Sequence, residues 1–314
     1  MNDPTRLLSD MTKAMMDRVL RAGMPPLYQQ TVDQARRSYS SGVGAMCGEV
    51  VAVDRVDDFT IPGPAGDIPA RLWAPTDAPC LPVLLYLHGG GFVVGGIDTC
   101  EAMCRRIAAQ SGAAVVAVDY RLAPEHRFPA ALDDSFAALQ WLAAHGASMG
   151  LDPTRLAVGG DSAGGTLAAS VALMARDHSL PLALQVLFYP SVHPSSVSES
   201  FKQFSKGVML DAELMRWFES HARGAGFKSD WRREPFKAAS HQGVAPAWIG
   251  LAAVDPLVDE GGMYAELLRE AGVPVEVKVW PGVVHDFINM GRFIPEAYEA
   301  HAAVAQALKR AFDH

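Results

Sequence analysis

Continuous apolar runs alternate with helical patterns through most of the chain. The runs are Val83–Leu87, Ala114–Val118, Leu156–Val158, Ala183–Tyr189 and Ala247–Ala252. Segments with helix-forming residues or helical apolar spacing lie between and after them, at 101–110, 130–144, 166–176, 262–271 and 296–312. Strands that are apolar throughout are typical of a parallel sheet covered on both faces, with the helices as crossovers. The pattern predicts an α/β fold with a mostly parallel central sheet and helices on both faces.

The residues before Val83–Leu87 do not follow this alternation of strands and helices. Residues 4–22 and 27–39 predict two helices, and the Ser/Gly stretch 40–44 is expected to end the second. In the first helix the apolar residues share one face, namely Leu7, Leu8, Met11, Met15 and Val19. Runs at 50–56, 58–62 and 68–73, separated by Gly, Pro and Asp, predict antiparallel hairpin strands.

Two later segments depart from the α/β alternation. Residues 191–240 are polar and Ser-rich, with one predicted helix at Asp211–His221, and we interpret them as an insertion. In Val275–Val279 charged residues alternate with valines, which is unlike a central parallel strand and predicts a place near the sheet edge. Because edge strands can pair with another chain, this strand suggests a homodimer contact.

Composition narrows the classes of partner. The 314 residues are 49% hydrophobic, enough for a sizeable core, and carry a formal net charge of −8. That charge disfavours nucleic acid and anionic membranes and favours small neutral or apolar ligands. The chain shows no apolar signal-peptide core and no stretch long enough to span a membrane, so we expect a cytoplasmic protein.

The four cysteines give no metal-binding pattern. No Cys-x-x-Cys or His-rich segment surrounds them, so a zinc site is not expected. Cys100 and Cys104 are one helical turn apart, which indicates two buried thiols rather than a disulfide.

Ser162 is the candidate nucleophile. It lies in Gly160-Asp161-Ser162-Ala163-Gly164, between the apolar run Leu156–Val158 and the helix at 166–176. Small neighbours allow a turn so sharp that the serine hydroxyl projects from its apex. The motif alone is weak, since chance would produce it in about one such chain in seven. Gly-rich turns also bind nucleotide phosphates, but the phosphate-binding signatures are missing.

Partners for Ser162 follow other strand ends in the appropriate order. Asp255 follows Ala247–Ala252, and His285 follows the Val275–Trp280 strand, which gives the order Ser, Asp, His. Asp259 and Glu260 are expected to cap the next helix. We therefore predict Ser162, Asp255 and His285 as nucleophile, acid and general base.

A glycine loop follows the first buried strand. His88-Gly89-Gly90-Gly91-Phe92 comes directly after Val83–Leu87, and its glycines leave backbone N–H groups free to face a ligand. We predict the N–H groups of Gly90, Gly91 and Ala163 as oxyanion donors, and His88 as a brace of the loop. The alternative is an ordinary Gly-rich turn with no role in ligand binding.

These motifs, together with Asp119–Glu125 and Asp255–Gly261, resemble the hormone-sensitive-lipase-like (family IV) bacterial esterases of the α/β-hydrolase superfamily. The resemblance covers the chain from its first helices to its last. It implies a carboxylesterase with the triad and oxyanion hole named above, acting on a small-molecule ester without a cofactor. It also implies a structural role for Asp119–Glu125 and a helical cap. The expected organisation is cap helices at 1–45, hydrolase core at 46–190 and 241–314, and a cap insertion at 191–240.

Several points stay open on sequence grounds. Apolar cap residues such as Trp217 and Phe218 suggest a pocket for short to medium acyl chains. The same triad would serve an amide, a lactone or a thioester, and the fold could also carry a non-catalytic ligand receptor. The chain departs from the family in having Asp286, where glycine is frequent, after the catalytic histidine; its carboxylate could raise the pKa of His285 or change the loop.

Overall fold

One eight-stranded sheet forms the centre of the computed structural model, which describes residues 4–193, 198–223 and 228–313. The strands are β1 (Arg55–Gly63), β2 (Gly66–Ala74), β3 (Leu81–Leu87), β4 (Ala114–Val118), β5 (Leu151–Asp161), β6 (Leu184–Phe188), β7 (Ala247–Val254) and β8 (Val275–Val284). Their order is β1-β2-β4-β3-β5-β6-β7-β8. Strands β3 to β8 pair in parallel, whereas β2 is antiparallel to both β1 and β4. The predicted mostly parallel sheet is confirmed.

Helices cover both faces of this sheet. They are α1 (Asp10–Arg21), α2 (Val32–Met46), α3 (Ile97–Ser111), α4 (Ala130–His145), α5 (Ala163–Asp177), α6 (Glu199–Phe204), α7 (Ala212–Arg223), α8 (Val258–Glu270) and α9 (Glu296–Phe312). In β3, Val83 and Leu85 join the core under α4, α5 and α8, while Leu84 and Tyr86 join the core under α3 and α9. Both faces of the strand are therefore buried, which explains its uninterrupted apolar sequence.

The N-terminal predictions need correction in three places. Helix α2 continues through the Ser/Gly stretch to Met46, because Val43 in that stretch is buried and holds the last turns against the core. The apolar face of α1 is only partly used, since Met15 is buried but Met11 is half exposed. Residues 50–54 form no strand, because the antiparallel register pairs Arg55 with Ala74, the last residue of β2.

Strand β8 lies at the edge of the sheet, as its alternating sequence predicts. Val275 and Val277 are partly buried, whereas Glu276, Lys278 and Val279 are exposed. One side of the strand has no neighbour in the sheet of the described chain. Cys100 and Cys104 are both buried and free on α3, also as predicted. Within the described ranges, each helix is too short or too polar to cross a lipid bilayer.

Candidate active site

Ser162 occupies a sharp turn between β5 and α5. Its backbone has φ 53° and ψ −117°, a conformation that L-residues rarely adopt. The turn also needs glycine on either side: a Cβ on Gly164 would lie 1.9 Å from the Leu87 carbonyl oxygen, and one on Gly160 would lie 2.4 Å from the Gly164 backbone. The Gly-x-Ser-x-Gly spacing is therefore a packing requirement of this turn, which leaves the serine side chain partly exposed at the N-terminus of α5.

The three predicted triad residues meet at the carboxyl ends of β5, β7 and β8. The His285 Nε2 lies 2.9 Å from the Ser162 Oγ, and the His285 Nδ1 lies 2.6 Å from the Asp255 Oδ2. A neutral imidazole that donates from Nδ1 to the carboxylate leaves Nε2 free to accept the serine proton. Asp255 is fully buried, and its other oxygen accepts the Leu257 backbone N–H at 2.9 Å. The carboxylate is thus fixed against the imidazole.

Negative charge around His285 favours its protonated form. Burial acts to lower the pKa of His285, but the charge and hydrogen bond of Asp255 oppose this, with further contributions from Asp286 and Asp161. The net result is a pKa above the ordinary histidine value. The ring of Tyr189 packs against the imidazole with centroids 4.5 Å apart, which limits its rotation. The imidazole is held in place and prepared to carry a positive charge.

The glycine loop (His88–Phe92) follows β3 and turns back on itself. Gly90 and Gly91 have φ values of 109° and 60°, and the Gly90 carbonyl accepts the N–H groups of Val93 and Val94 at 3.0 Å. Neither the Gly90 nor the Gly91 N–H donates to any residue that the structure describes. Ala163 is the first residue of α5, so its N–H has no intrahelical acceptor. All three predicted oxyanion donors are therefore free to bind a ligand.

Asp161 anchors the glycine loop, a role that the sequence did not reveal. Its Oδ1 accepts the Tyr86 hydroxyl at 2.7 Å and the Gly89 N–H at 3.0 Å. Burial raises the pKa of Asp161 to about 6, partly offset by the hydrogen bond from Tyr86. A Cβ on Gly89 would lie 2.1 Å from the Asp161 carboxylate, so this contact requires glycine. The residue before the nucleophile thus fixes the loop that carries the N–H donors.

His88 braces the same loop, as predicted. Its Nδ1 lies 2.8 Å from the Gly89 carbonyl oxygen, and its ring stacks on Tyr120 with centroids 4.3 Å apart. The Tyr120 hydroxyl donates to the His88 carbonyl at 2.6 Å. Nearby, Arg121 pairs with the buried Asp134 at 2.7 Å. These contacts give part of the Asp119–Glu125 motif the structural role that the resemblance implies.

Helices α2 and α7 contact the glycine loop and its surroundings. On α2, the Arg36 side chain donates to the Val93 carbonyl at 2.9 Å and to the Glu125 carboxylate at 2.7 Å. On α7, the Phe218 ring covers Gly91 so closely that a Cβ there would lie 2.2 Å from the Phe218 Cγ. The sequence marked Phe218 as an apolar cap residue but did not indicate its contact with the loop.

Asp259 and Glu260 bind the segment after β6, which differs from their expected capping role. They lie in the first turn of α8, but the Asp259 Oδ2 accepts the Ser200 N–H at 2.8 Å and the Glu260 Oε2 accepts the His193 N–H at 2.9 Å. Burial raises the pKa of Glu260 well above its ordinary value. The two carboxyl groups therefore fasten Ser200 and His193 to α8.

Asp286, the departure noted in the sequence, has a left-handed backbone with φ 69°. Its Oδ1 accepts the Asn289 side-chain amide at 2.7 Å. Burial and the charge of Asp161 raise the pKa of Asp286 to about 7. Aspartate tolerates this backbone better than most residues, which explains how it can occupy a position where glycine is frequent.

Comparison with known proteins gives consistent matches. A family model described as the α/β hydrolase fold matches residues 84–289. Ethyl acetate hydrolase of Pseudomonas putida is 38% identical over 292 residues, covering 91% of this chain and 92% of that protein. Carboxylesterase NlhH of Mycobacterium tuberculosis is 43% identical over 251 residues, covering 78% of this chain and 79% of that protein.

Solved structures match over nearly the whole chain. An ester hydrolase from the metagenome of Lake Arreo, complexed with a bipyridine phosphonate derivative, superposes with a TM-score of 0.94 at 36% identity, covering 98% of this chain and 100% of that one. A hyperthermophilic esterase from the archaeon Pyrobaculum calidifontis superposes with a TM-score of 0.90 at 38% identity, covering 96% and 98%.

Proposed function

Because the chain belongs to the α/β hydrolase family, we propose that it is a carboxylesterase with Ser162 as nucleophile, His285 as general base and Asp255 as the orienting carboxylate. The resemblance inferred from the sequence motifs is confirmed at the level of the family, and its relatives include proteins named as carboxylesterase and ethyl acetate hydrolase. The observation that carries the proposal is the pair of hydrogen bonds that joins His285 to both partners.

The reaction follows from these contacts in two halves. His285 accepts the Ser162 proton through Nε2 while Oγ attacks the ester carbonyl carbon and forms a tetrahedral oxyanion. The bond to the alcohol oxygen then breaks, and protonated His285 gives its proton to the leaving alcohol. Water attacks the remaining acyl-enzyme, His285 takes its proton, and that proton returns to Ser162 as the carboxylic acid leaves. Asp255 stabilises the imidazolium in both halves.

We assign the oxyanion hole to the N–H groups of Gly90, Gly91 and Ala163. Their support is that none of them has an acceptor among the described residues, and that all three lie on elements adjoining Ser162. Fixed donors facing a developing negative charge need no reorganisation during the reaction, and loss of one typically costs about 10²- to 10³-fold in kcat. The contact of Asp161 with Gly89 keeps this loop in place.

We further propose that segments 1–45 and 191–240 form a cap over a hydrolase core made of 46–190 and 241–314. Residues 1–3, 194–197 and 224–227 of these segments lie outside the described part of the chain. Arg36 and Phe218, one from each cap segment, support this because both contact the glycine loop or its continuation. Phe218 lies directly against Gly91 and limits the space beside the nucleophile. Short to medium acyl chains are the expected substrates for this reason.

The test is hydrolysis of 4-nitrophenyl acetate, butanoate, octanoate and hexadecanoate by wild type and Ser162→Ala. We expect the highest kcat/KM on the shorter esters, and a loss of kcat of about 10⁶-fold in Ser162→Ala. Faster hydrolysis of emulsified long-chain triglycerides would overturn the chain-length assignment. Rates on a matched panel of amides, lactones and thioesters distinguish an esterase from a hydrolase of one of those compounds. Failure of a fluorophosphonate to label Ser162 would instead favour a ligand receptor.

Two further proposals concern the state of the protein. We propose a homodimer through the Val275–Val279 part of β8, supported by its place at the open edge of the sheet. We also propose a cytoplasmic location, supported by the four free cysteines, since free thiols persist in reducing compartments.

A further inference from the structure

A buried serine of the insertion (residues 191–240) is hydrogen-bonded to the loop that follows β7. Ser200 is the second residue of α6 and is only 3% exposed. Its Oγ donates to the Pro256 carbonyl at 2.9 Å and accepts the Asp259 N–H at 3.3 Å. The hydroxyl of Ser200 thus binds the loop as both a donor and an acceptor, immediately after Asp255.

The Pro256 carbonyl belongs to the same peptide unit as the Leu257 N–H. This peptide bond is trans, so its C=O and N–H lie in one plane and point in opposite directions. The Leu257 N–H donates to the Asp255 Oδ1 at 2.9 Å. The other carboxylate oxygen, Oδ2, lies 2.6 Å from the His285 Nδ1. A group that fixes the carbonyl therefore also fixes the N–H that holds the carboxylate against the imidazole.

These contacts form one chain of hydrogen bonds from α6 to the imidazole. It runs from the Ser200 hydroxyl through the Pro256–Leu257 peptide and the Asp255 carboxylate to His285. The side chains of Ser200, Asp255 and His285 are all buried, so little water competes with these bonds. In a buried chain each hydrogen bond polarises the next. The hydroxyl consequently acts on the carboxylate through a single peptide unit.

The other bonds between the insertion and α8 have different partners. The Asp259 Oδ2 accepts the Ser200 N–H, and the Glu260 Oε2 accepts the His193 N–H. Both bonds hold the backbone of the insertion, and neither involves the peptide unit that binds Asp255. Removing the Ser200 hydroxyl alone therefore leaves these two bonds possible while it frees the Pro256 carbonyl.

We propose that Ser200 is a positioning residue for Asp255: its hydroxyl fixes the Pro256–Leu257 peptide, whose N–H keeps the carboxylate directed at His285. The inference rests on the proposed esterase function, in which Asp255 orients the general base. Ser200 acts on the reaction only through this carboxylate. The insertion then contributes to the chemical step as well as to the walls of the site.

The protonation of His285 should report on this contact. The charge and hydrogen bond of Asp255 oppose the effect of burial and raise the pKa of His285, with smaller contributions from Asp286 and Asp161. A carboxylate that is free to turn binds the imidazolium less well, so the pKa of His285 should fall when the Ser200 hydroxyl is removed. Asp286 and Asp161 keep their charges in this comparison, so the shift isolates the effect on Asp255.

The experiment measures kcat and KM for 4-nitrophenyl butanoate from about pH 5 to pH 9 in wild type, Ser200→Ala and Ser200→Cys. In Ser200→Ala we expect kcat to fall about tenfold with little change in KM, since one hydrogen bond that orients the general base is lost. The acid limb of kcat/KM should move to lower pH. Ser200→Cys, which keeps the packing but has only a weak S–H donor, should lie between Ser200→Ala and wild type.

A second measurement follows the hydrogen bond without substrate. The Nδ1 proton of His285, which the carboxylate binds, gives a low-field proton NMR resonance that is identified by its loss in His285→Ala. In Ser200→Ala this resonance should move upfield. The matched control is Ser198→Ala, which removes the N-cap of α6 and a 3.4 Å contact with the Ser200 Oγ but leaves the bond to Pro256. It should keep the acid limb and the resonance of wild type.

The alternatives give different outcomes. If Ser200 only fastens the insertion, Ser200→Ala loses stability but keeps the acid limb and the resonance of wild type, which overturns the proposal. An unchanged kcat in Ser200→Ala overturns it as well. If wild type hydrolyses no ester, the carboxylesterase assignment itself has failed, and the NMR comparison still tests whether Ser200 positions Asp255.

Discussion

The carboxylate of Asp161 and the backbone N–H of Gly89 are joined by a 3.0 Å hydrogen bond that links the nucleophile turn to the glycine loop. The two residues are 72 positions apart in sequence, at the ends of neighbouring strands. The nucleophile and the proposed oxyanion donors are therefore parts of one hydrogen-bonded unit. A disturbance at Asp161 should reach catalysis as well as stability.

Asp161→Ala removes the acceptor of both the Tyr86 hydroxyl and the Gly89 N–H. Leaving two buried donors unpaired should lower the free energy of unfolding by about 1–3 kcal/mol for each, measured by urea titration. Because Gly89 directly precedes the proposed donors, kcat should also fall, by about tenfold or more. Asp161→Asn, which keeps an acceptor oxygen, should lie between Asp161→Ala and wild type. If Asp161→Ala loses stability but keeps its kcat, Asp161 supports only the fold.

Asp286 should shift the pH dependence of activity. As the proposed general base, His285 must be neutral to accept the Ser162 proton, so kcat/KM is expected to fall on the acid side of the pKa of His285. After the larger effects of burial and Asp255, the charge of Asp286 raises that pKa further. Asp286→Asn, which tolerates the same backbone, should therefore move the acid limb to lower pH in a profile from about pH 5 to pH 9. Asp10→Asn, on the exposed face of α1, is the control. If the acid limb of the kcat/KM profile is at the same pH in Asp286→Asn as in wild type, Asp286 affects only the structure of the loop.

The same residue should make stability depend on pH. Burial raises the pKa of Asp286 from 3.8 to about 7, so over this interval the folded protein holds the proton more tightly than the unfolded chain. Its contribution to stability is then largest below the unfolded pKa and is lost as pH rises through the folded pKa. Urea titrations across this range should show wild type losing stability relative to Asp286→Asn. Asp161 titrates in both proteins, so its contribution largely cancels when the free energies of unfolding of wild type and Asp286→Asn are subtracted. If the stability difference between wild type and Asp286→Asn were the same at every pH, the raised pKa of Asp286 would be contradicted.

Gly91 and Phe218 should behave as a coupled pair. A Cβ on Gly91 would lie 2.2 Å from the Phe218 Cγ, so Gly91→Ala must displace either α7 or the loop. We expect a fall in kcat of about 10²-fold, because the loop carries proposed oxyanion donors. Phe218→Ala should have a small effect alone and restore part of the loss when combined with Gly91→Ala. Additive losses in this double-mutant cycle would show that strain at φ 60°, and not the contact, is responsible.

The proposed dimer can be tested at the open edge of β8. Val279 is 49% exposed there, and a lysine on an exposed strand edge opposes pairing with a second strand. Val279→Lys should reduce the mass measured by sedimentation from two chains to one while leaving kcat unchanged. Met263→Lys, at an exposed position on α8, is the matched control. A wild-type mass equal to one chain would remove the dimer altogether.

Ser162, Asp255 and His285 could be singled out from the sequence because each lies a few residues after a predicted strand. Parallel strands bring their carboxyl ends to one edge of a sheet, and chain order then suggested the roles. The same logic identified the glycine loop after β3. The edge position of β8 was also visible, because charged residues interrupt its apolar pattern.

Contacts between distant segments could not be predicted in this way. The side chain of Asp161 looked like a spacer in the nucleophile motif, and nothing near it in sequence indicates Gly89 as its partner. Asp259 and Glu260 looked like helix-capping acids, because capping depends on local position whereas their amide partners at Ser200 and His193 lie about 60 residues away. The end of α2 was misjudged because tertiary burial of Val43 outweighs the local preference of Ser and Gly.

The left-handed backbone of Ser162 has a consequence for how long the active protein survives. A residue other than glycine held in such a conformation typically carries about 1–3 kcal/mol of strain. Ser162→Gly would relieve that strain and remove the proposed nucleophile in one step, so the variant is expected to withstand heat or urea better than wild type. Selection for stability alone would therefore favour glycine at position 162, and a serine there is expected only where the reaction of its hydroxyl is needed.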